Sequence, residues 1–216
     1  MFPIGDDDSS RRLAPLVTIA LIVVNVVIFL VELSAGDAFI QKWVFFPARF
    51  LANPGEDFLT IFTAMFMHGG WLHLGGNMLY LWIFGDNIED RFGHAKFLFF
   101  YLVCGIAATF AQLAFNPASN VPNLGASGAI AGVLGAYILM FPKQKVNVLM
   151  GRGVIPMPAL VVLGLWIVLQ IFSGIGSIAQ TAETGGVAYM AHIGGFLAGL
   201  ALAFILRGNR GAPELS

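Results

Sequence analysis

Four side chains suited to acyl-transfer chemistry lie in the apolar stretches of this 216-residue chain: Ser127, His192, His73 and Asn77. A serine hydroxyl becomes a nucleophile when a neighbouring imidazole takes its proton, and donors must then hold the oxyanion that develops on the attacked carbonyl. Ser127 and His192 are the candidates for the first pair. His73 and Asn77 stand four apart, on one face of a helix, and both can donate hydrogen bonds to an oxyanion. Ser127 also opens its apolar segment just past Pro122, Asn123 and Gly125. Free backbone N–H groups and the positive end of the helix dipole gather at such a place, so the Ser127 N–H is a third donor. No acidic residue occupies the same depth of these segments, so the expected arrangement is a Ser–His dyad rather than a triad.

The elements that must position these groups follow from composition. Hydrophobic residues make up 58% of the chain and charged residues 11%, with a mean hydropathy of +0.83. A soluble domain carries roughly 25% charged residues, so lipid is the expected solvent. The net charge of -1 gives no basic footprint, and nucleic acid is not expected as a partner. The single cysteine, Cys104, lies in an apolar run and is expected to pack as a small hydrophobe. No metal or cofactor is expected, because His68, His73 and His192 lack paired spacing on facing helices.

Apolar runs at residues 16–33, 71–84, 95–115, 124–141, 158–172 and 187–206 predict an all-α, polytopic membrane protein with six transmembrane helices. The first run is too long for a cleaved signal core. Residues 34–57 hold Trp43, Phe45, Phe46 and Phe50 and read as an interfacial segment. Residues 85–94, 116–123 and 173–186 are polar or Gly/Pro-rich breaks. The chain thus divides into an N-terminal segment (1–15), a membrane domain (16–206) and a polar tail (207–216) expected to be disordered. With both termini cytoplasmic, nine of the eleven Lys and Arg residues fall inside, and only Lys42 and Arg49 outside. That bias predicts a multi-pass protein of the cell membrane with this orientation.

In this scheme spans two, four and six run inward from the outer face. At about 1.5 Å per residue, His73, Ser127, His192 and Asn77 lie roughly 3 to 9 Å into their spans, in one outer layer. Small residues mark the faces that would bring them together. Gly125, Gly128, Gly132 and Gly135 recur at helical steps, as do Ala188, His192, Gly195 and Gly199. Such stripes allow close backbone approach between membrane helices.

These residues also resemble the motifs of one family. Gly125-Ala126-Ser127-Gly128 is similar to the GxSG nucleophile motif of rhomboid proteases. Ala191-His192, continuing through Gly195 to Gly199, resembles their last-helix AHxxGxxxG motif, and His73 to Asn77 resembles their HxxxN element. The stretch from Phe62 to Gly93, with His68 and the Glu89-x-Arg91 pair, is similar as well. The resemblance implies a six-helix rhomboid-like bundle with a half-submerged loop between helices 1 and 2. It implies a Ser127–His192 dyad opening to the extracytoplasmic side, with oxyanion donors from the Ser127 N–H, His73 and Asn77. It implies serine endopeptidase activity on membrane-protein substrates, cut within or beside a transmembrane helix, with residues 166–186 as gate and cap. Non-catalytic members that bind clients characteristically lack the serine or the histidine; both are present here. Two positions depart from the pattern: Leu59-Thr60 stand where many members have Trp-Arg, and Ala131 where some have a Tyr packed on the histidine.

The other polar residues have structural readings. Asn25, Gln112 and Gln170 are expected to hydrogen-bond between helices and Glu32 to lie at the interface. Asp86, Glu89, Asp90 and Arg91 are expected to form a cytoplasmic pairing cluster, with His94 on the same side.

Overall fold

The long apolar runs fold as helices in the computed structural model, which describes residues 2–7, 9, 11–179 and 187–206. Helix α1 (Leu16–Ala35) is followed by four short helices, α2 (Asp37–Trp43), α3 (Pro47–Ala52), α4 (Pro54–Asp57) and α5 (Thr60–Thr63), and by a 3-10 turn at Ala64–Phe66. Five longer helices follow: α6 (Trp71–Phe92), α7 (His94–Phe115), α8 (Ser127–Met140), α9 (Ala159–Ala179) and α10 (Tyr189–Leu206). Strands β1 (Phe2–Asp6), β2 (Lys145–Met150) and β3 (Gly153–Pro158) complete the order.

Among the described residues, four helices are long and apolar enough to cross a membrane: Leu16–Ala35, His94–Phe115, Ala159–Gly176 and Tyr189–Leu206. The other two expected spans differ for physical reasons. Helix α6 has 22 residues but carries His73, Asn77, Asp86, Asn87 and Glu89. Helix α8 has 14 residues, or about 21 Å, against a hydrocarbon core of about 30 Å. It is enclosed by protein. Every residue from Gly128 to Tyr137 is buried, and α7, α10, α6 and α9 pack around it. A helix so covered has no need to match the bilayer thickness.

The all-α expectation requires correction. The α8–α9 connection forms a hairpin, β2 and β3, and β1 joins it as a three-stranded antiparallel sheet in the order β1-β2-β3. Its signal is the alternation Lys145-Val146-Asn147-Val148, whose two valines are buried, the period-two pattern of a strand with one face on a core. Val146 pairs with Met157 and Val148 with Ile155. Pro156 and Pro158 on the outer strand lack N–H donors, which blunts that edge against further pairing. The N-terminal segment is therefore not loose at its start, since Phe2 and Pro3 pair with Leu149 and Val148.

The break expected at 85–94 is also shorter than predicted. Helix α6 runs on to Phe92 because its polar residues there are buried and paired. Glu89, fully buried, accepts hydrogen bonds from the N–H groups of Val17 and Thr18 at 2.8 Å and from the Thr18 hydroxyl at 2.7 Å. Its carboxylate thus caps the start of α1, where Pro15 offers no side-chain cap. His94 Nδ1 lies 2.6 Å from the same carboxylate, Arg11 pairs with Asp86, and the Tyr137 hydroxyl bonds Asp6. Asp86 and Glu89 are thus paired, with Arg11, Thr18 and His94, and these contacts with the Tyr137–Asp6 bond hold the N-terminal segment against α6 and α8. The tail 207–216 lies outside the described residues, as does the 180–186 part of the expected gate and cap.

At the opposite end, the first loop props up the segment before α8. Arg49 binds Asp57 at 2.7 Å and the carbonyls of Gln41 and Val44 at 2.6 and 2.7 Å, closing the loop on itself. The Asn123 N–H then donates to the Phe45 carbonyl at 2.8 Å, and the Gly125 N–H to Ala64 at 2.9 Å. These bonds fix the approach to Ser127.

Candidate active site

Ser127 is the first residue of α8, with Ala126 at the cap position. The first N–H groups of a helix have no intrahelical acceptor, so the hydroxyl and a set of backbone donors share one place. Gly125, two residues earlier, has φ +122°, a region that L side chains rarely adopt. A methyl group there would also lie 2.9 Å from His73 Nε2 and 3.6 Å from Ser127 Oγ. The glycine is what lets the His73 ring approach the serine.

His192 sits in the first turn of α10 and is 9% exposed. Its Nε2 lies 2.8 Å from Ser127 Oγ. The two glycine stripes make this contact possible. A methyl at Gly195 would stand 2.0 Å from the Gly128 carbonyl oxygen, and one at Gly199 would stand 2.0 Å from that of Gly132. Both distances are far inside van der Waals contact, so the two backbones meet along a seam that only glycine allows. Cys104, buried and free, fills the groove beside Gly132.

His73 and Asn77 lie on α6. The Gly69 N–H reaches His73 Nδ1 at 3.4 Å, a long contact. With Nδ1 as acceptor, the ring proton resides on Nε2, the atom turned toward Gly125. Asn77 is 8% exposed, and its Nδ2 has no acceptor among the described residues. A buried donor without a partner is costly in a folded chain. His68 is buried with its ring centroid 5.1 Å from that of His73. His94 is apart from this group, bound to Glu89.

Three residues have surroundings that sequence reasoning did not identify, although Gln170 makes the bond between helices expected of it. Gln170 on α9 places Oε1 2.7 Å from His192 Nδ1. Trp166, one turn earlier, sets its ring 5.8 Å from the His192 ring at 36°. Together they hold the imidazole from α9. A polar residue one turn from a tryptophan in an apolar span was the available signal.

Glu32 is the third. Expected at the interface, it is 2% exposed and so enclosed by protein. It continues the buried stripe Thr18, Leu21, Asn25 and Phe29, which spacing alone could have indicated. Its two oxygens lie 3.2 and 3.3 Å from the His68 N–H, which they accept, tying α1 to the turn that precedes His73. Replacing Glu32 with Leu leaves that buried N–H unpaired at a cost of about 1–3 kcal/mol, several degrees of Tm in a chain of this size. Glu32→Gln, which keeps an acceptor, should recover most of the loss in a thermal-shift assay. Equal Tm values for wild type and Glu32→Leu would refute the assignment. Asn25 donates to the Leu21 carbonyl of its own helix at 2.7 Å and also meets the Tyr101 hydroxyl of α7, and Gln112 accepts the Ala191 N–H at 3.2 Å across α7 and α10.

Comparison with known proteins points the same way as the motifs. A model of the Rhomboid domain matches residues 55–209. The mitochondrial Rhomboid protein 1 of Saccharomyces cerevisiae is 30% identical over 186 residues, which cover 84% of this chain and 50% of that protein. Rhomboid protease GluP of Bacillus subtilis is 31% identical over 194 residues, 87% of this chain and 35% of the relative. Rhomboid protease GlpG of Yersinia pestis is 24% identical over 198 residues, 90% and 64% respectively. The chain spans half or less of the length of the first two relatives.

Proposed function

Because the chain belongs to the rhomboid family, we propose that it is an intramembrane serine endopeptidase whose nucleophile is Ser127 and whose general base is His192. The observation that carries this reading is the 2.8 Å approach of His192 Nε2 to Ser127 Oγ, between helices joined by a glycine seam. The names of relatives such as the GluP and GlpG proteases support peptide-bond cleavage in the membrane.

The steps follow from the positions. His192, neutral, takes the Ser127 proton on Nε2 as Oγ bonds to the peptide carbonyl carbon. The carbonyl oxygen becomes an oxyanion, held by the Ser127 N–H and the side-chain donors of His73 and Asn77. Collapse breaks the C–N bond, and the imidazolium returns its proton to the leaving amine. A water, deprotonated by the same nitrogen, then hydrolyses the ester.

In this reading six helices cross the bilayer, with α6 and α8 completing the four that meet length and hydropathy. Both termini are cytoplasmic, as the Lys and Arg partition favours, and the site opens outward, where water can enter. The substrates are single-span membrane proteins, cut within or next to their helix.

A fluorophosphonate probe tests the assignment, because it phosphonylates an activated serine in place of the acyl group. Purified protein in detergent is expected to label once, at Ser127, and the Ser127→Ala variant not at all. Equal labelling of the two would refute the nucleophile.

A further inference from the structure

We propose that Gln170 is a positioning residue for His192. Its side-chain carbonyl accepts the Nδ1–H, which leaves the Nε2 lone pair free and aimed at the Ser127 hydroxyl. The proposal rests on the protease reading and adds a third group to the Ser–His pair.

Geometry carries it. His192 is bonded at both ring nitrogens, to Gln170 Oε1 at 2.7 Å and to Ser127 Oγ at 2.8 Å, so the three side chains form one chain of contacts across α8, α10 and α9. A neutral imidazole has one donor and one acceptor nitrogen, and the partner of each nitrogen decides which is which. Only the form with its proton on Nδ1 can receive a proton from serine at Nε2. The amide oxygen selects that form. In the reversed orientation the Gln170 NH2 would face Nδ1, the ring proton would move to Nε2, and the ring would donate to Ser127 instead of deprotonating it.

The placement of Gln170 is built into α9. Trp166, Gln170 and Gly174 recur at steps of four on one face. Trp166 lies against His192, and a methyl at Gly174 would stand 2.9 Å from Met190 Cε, 3.3 Å from Ile193 Cδ1 and 3.3 Å from Tyr189 Cβ. The glycine brings α9 close to α10 one turn beyond Gln170, and the tryptophan closes the other side. Among the described residues, both hydrogen-bond partners of the ring are neutral. An amide orients the ring and supports the imidazolium through its dipole, but more weakly than the aspartate of a soluble triad, whose replacement by asparagine leaves the wrong tautomer and costs about 10⁴ in kcat.

The test pairs kinetics with a spectroscopic signature. In Gln170→Leu, kcat on a tagged single-span substrate is expected to fall by about 10–10² with KM little changed, a smaller loss than the triad value because the lost group is neutral. Gln170→Glu keeps an acceptor at the same reach and should restore most of that rate. With histidines labelled by ¹⁵N, the His192 shifts should report Nδ1–H in the wild type and loss of that preference in Gln170→Leu. Unchanged kcat and unchanged His192 shifts in Gln170→Leu would overturn the proposal, as would an Nε2–H ring in the wild type. Should Gln170→Leu not fold, an inactive Gln170→Glu in a folded protein would overturn it equally. The ¹⁵N readout needs no turnover. A wild type that neither cleaves nor labels at Ser127 would sink the protease reading while the tautomer still decides the role of Gln170.

Discussion

Ser127→Ala, His192→Ala and the double variant are expected to fall to one common floor, at least about 10⁴-fold below wild type in kcat/KM on a single-span substrate in proteoliposomes. The reason is that the two side chains perform a single proton transfer. Without the hydroxyl, the imidazole has no proton to take; without the imidazole, the hydroxyl stays a poor nucleophile. Groups that act as a unit lose almost everything with the first deletion, and the second adds little. The 2.8 Å contact between them is the physical basis for treating them so. Both variants should still fold, since Ser127 stands at a helix start and His192→Ala removes bulk without adding any. A His192→Ala variant within tenfold of wild type, or losses that multiply in the double variant, would show that the two do not act together.

The meeting of positions 127 and 192 was legible because helices have a fixed period. Gly128, Gly132 and Gly135 on one run, and Gly195 and Gly199 on the other, had to share faces, and two glycine faces in lipid have every reason to close on each other. The rotation of α9 was not legible. Its run is apolar nearly all round, so the pattern marked Gln170 and Trp166 as one face but did not say which helix that face would meet. The enclosure of Glu32 was not apparent, because a carboxylate near the end of an apolar run reads simply as interfacial. Its true surroundings depend on where the His68 turn passes, which is a long-range fact. The sheet escaped notice because each strand is five or six residues long, and β1 gains its partner only when the chain has returned from α8. The short length of α8 was hidden too, since residues 124–126 are as apolar as the helix they precede.

The same seam yields the other large effect. A methyl at Gly199 would stand 2.0 Å from the Gly132 oxygen, 2.5 Å from its Cα and 2.6 Å from its carbonyl carbon. All three are backbone atoms inside a helix, so no rotamer change can relieve the overlap; α8 and α10 must part. Overpacking of this kind costs about 3 kcal/mol or more, roughly 6–12 °C in Tm for a chain of this length. Ser127 and His192 lie at the starts of the two helices that separate. Gly199→Ala should therefore also cut cleavage and Ser127 labelling at temperatures where the protein remains folded. Gly164→Ala on α9 provides the control, because a methyl there meets nothing within 4 Å and Ala favours helix over Gly by up to about 1 kcal/mol. It should leave Tm level or slightly raised. If Gly199→Ala matched that control in both Tm and labelling, the helices would not be in backbone contact, and the closeness that brings the imidazole to the hydroxyl would lose its cause.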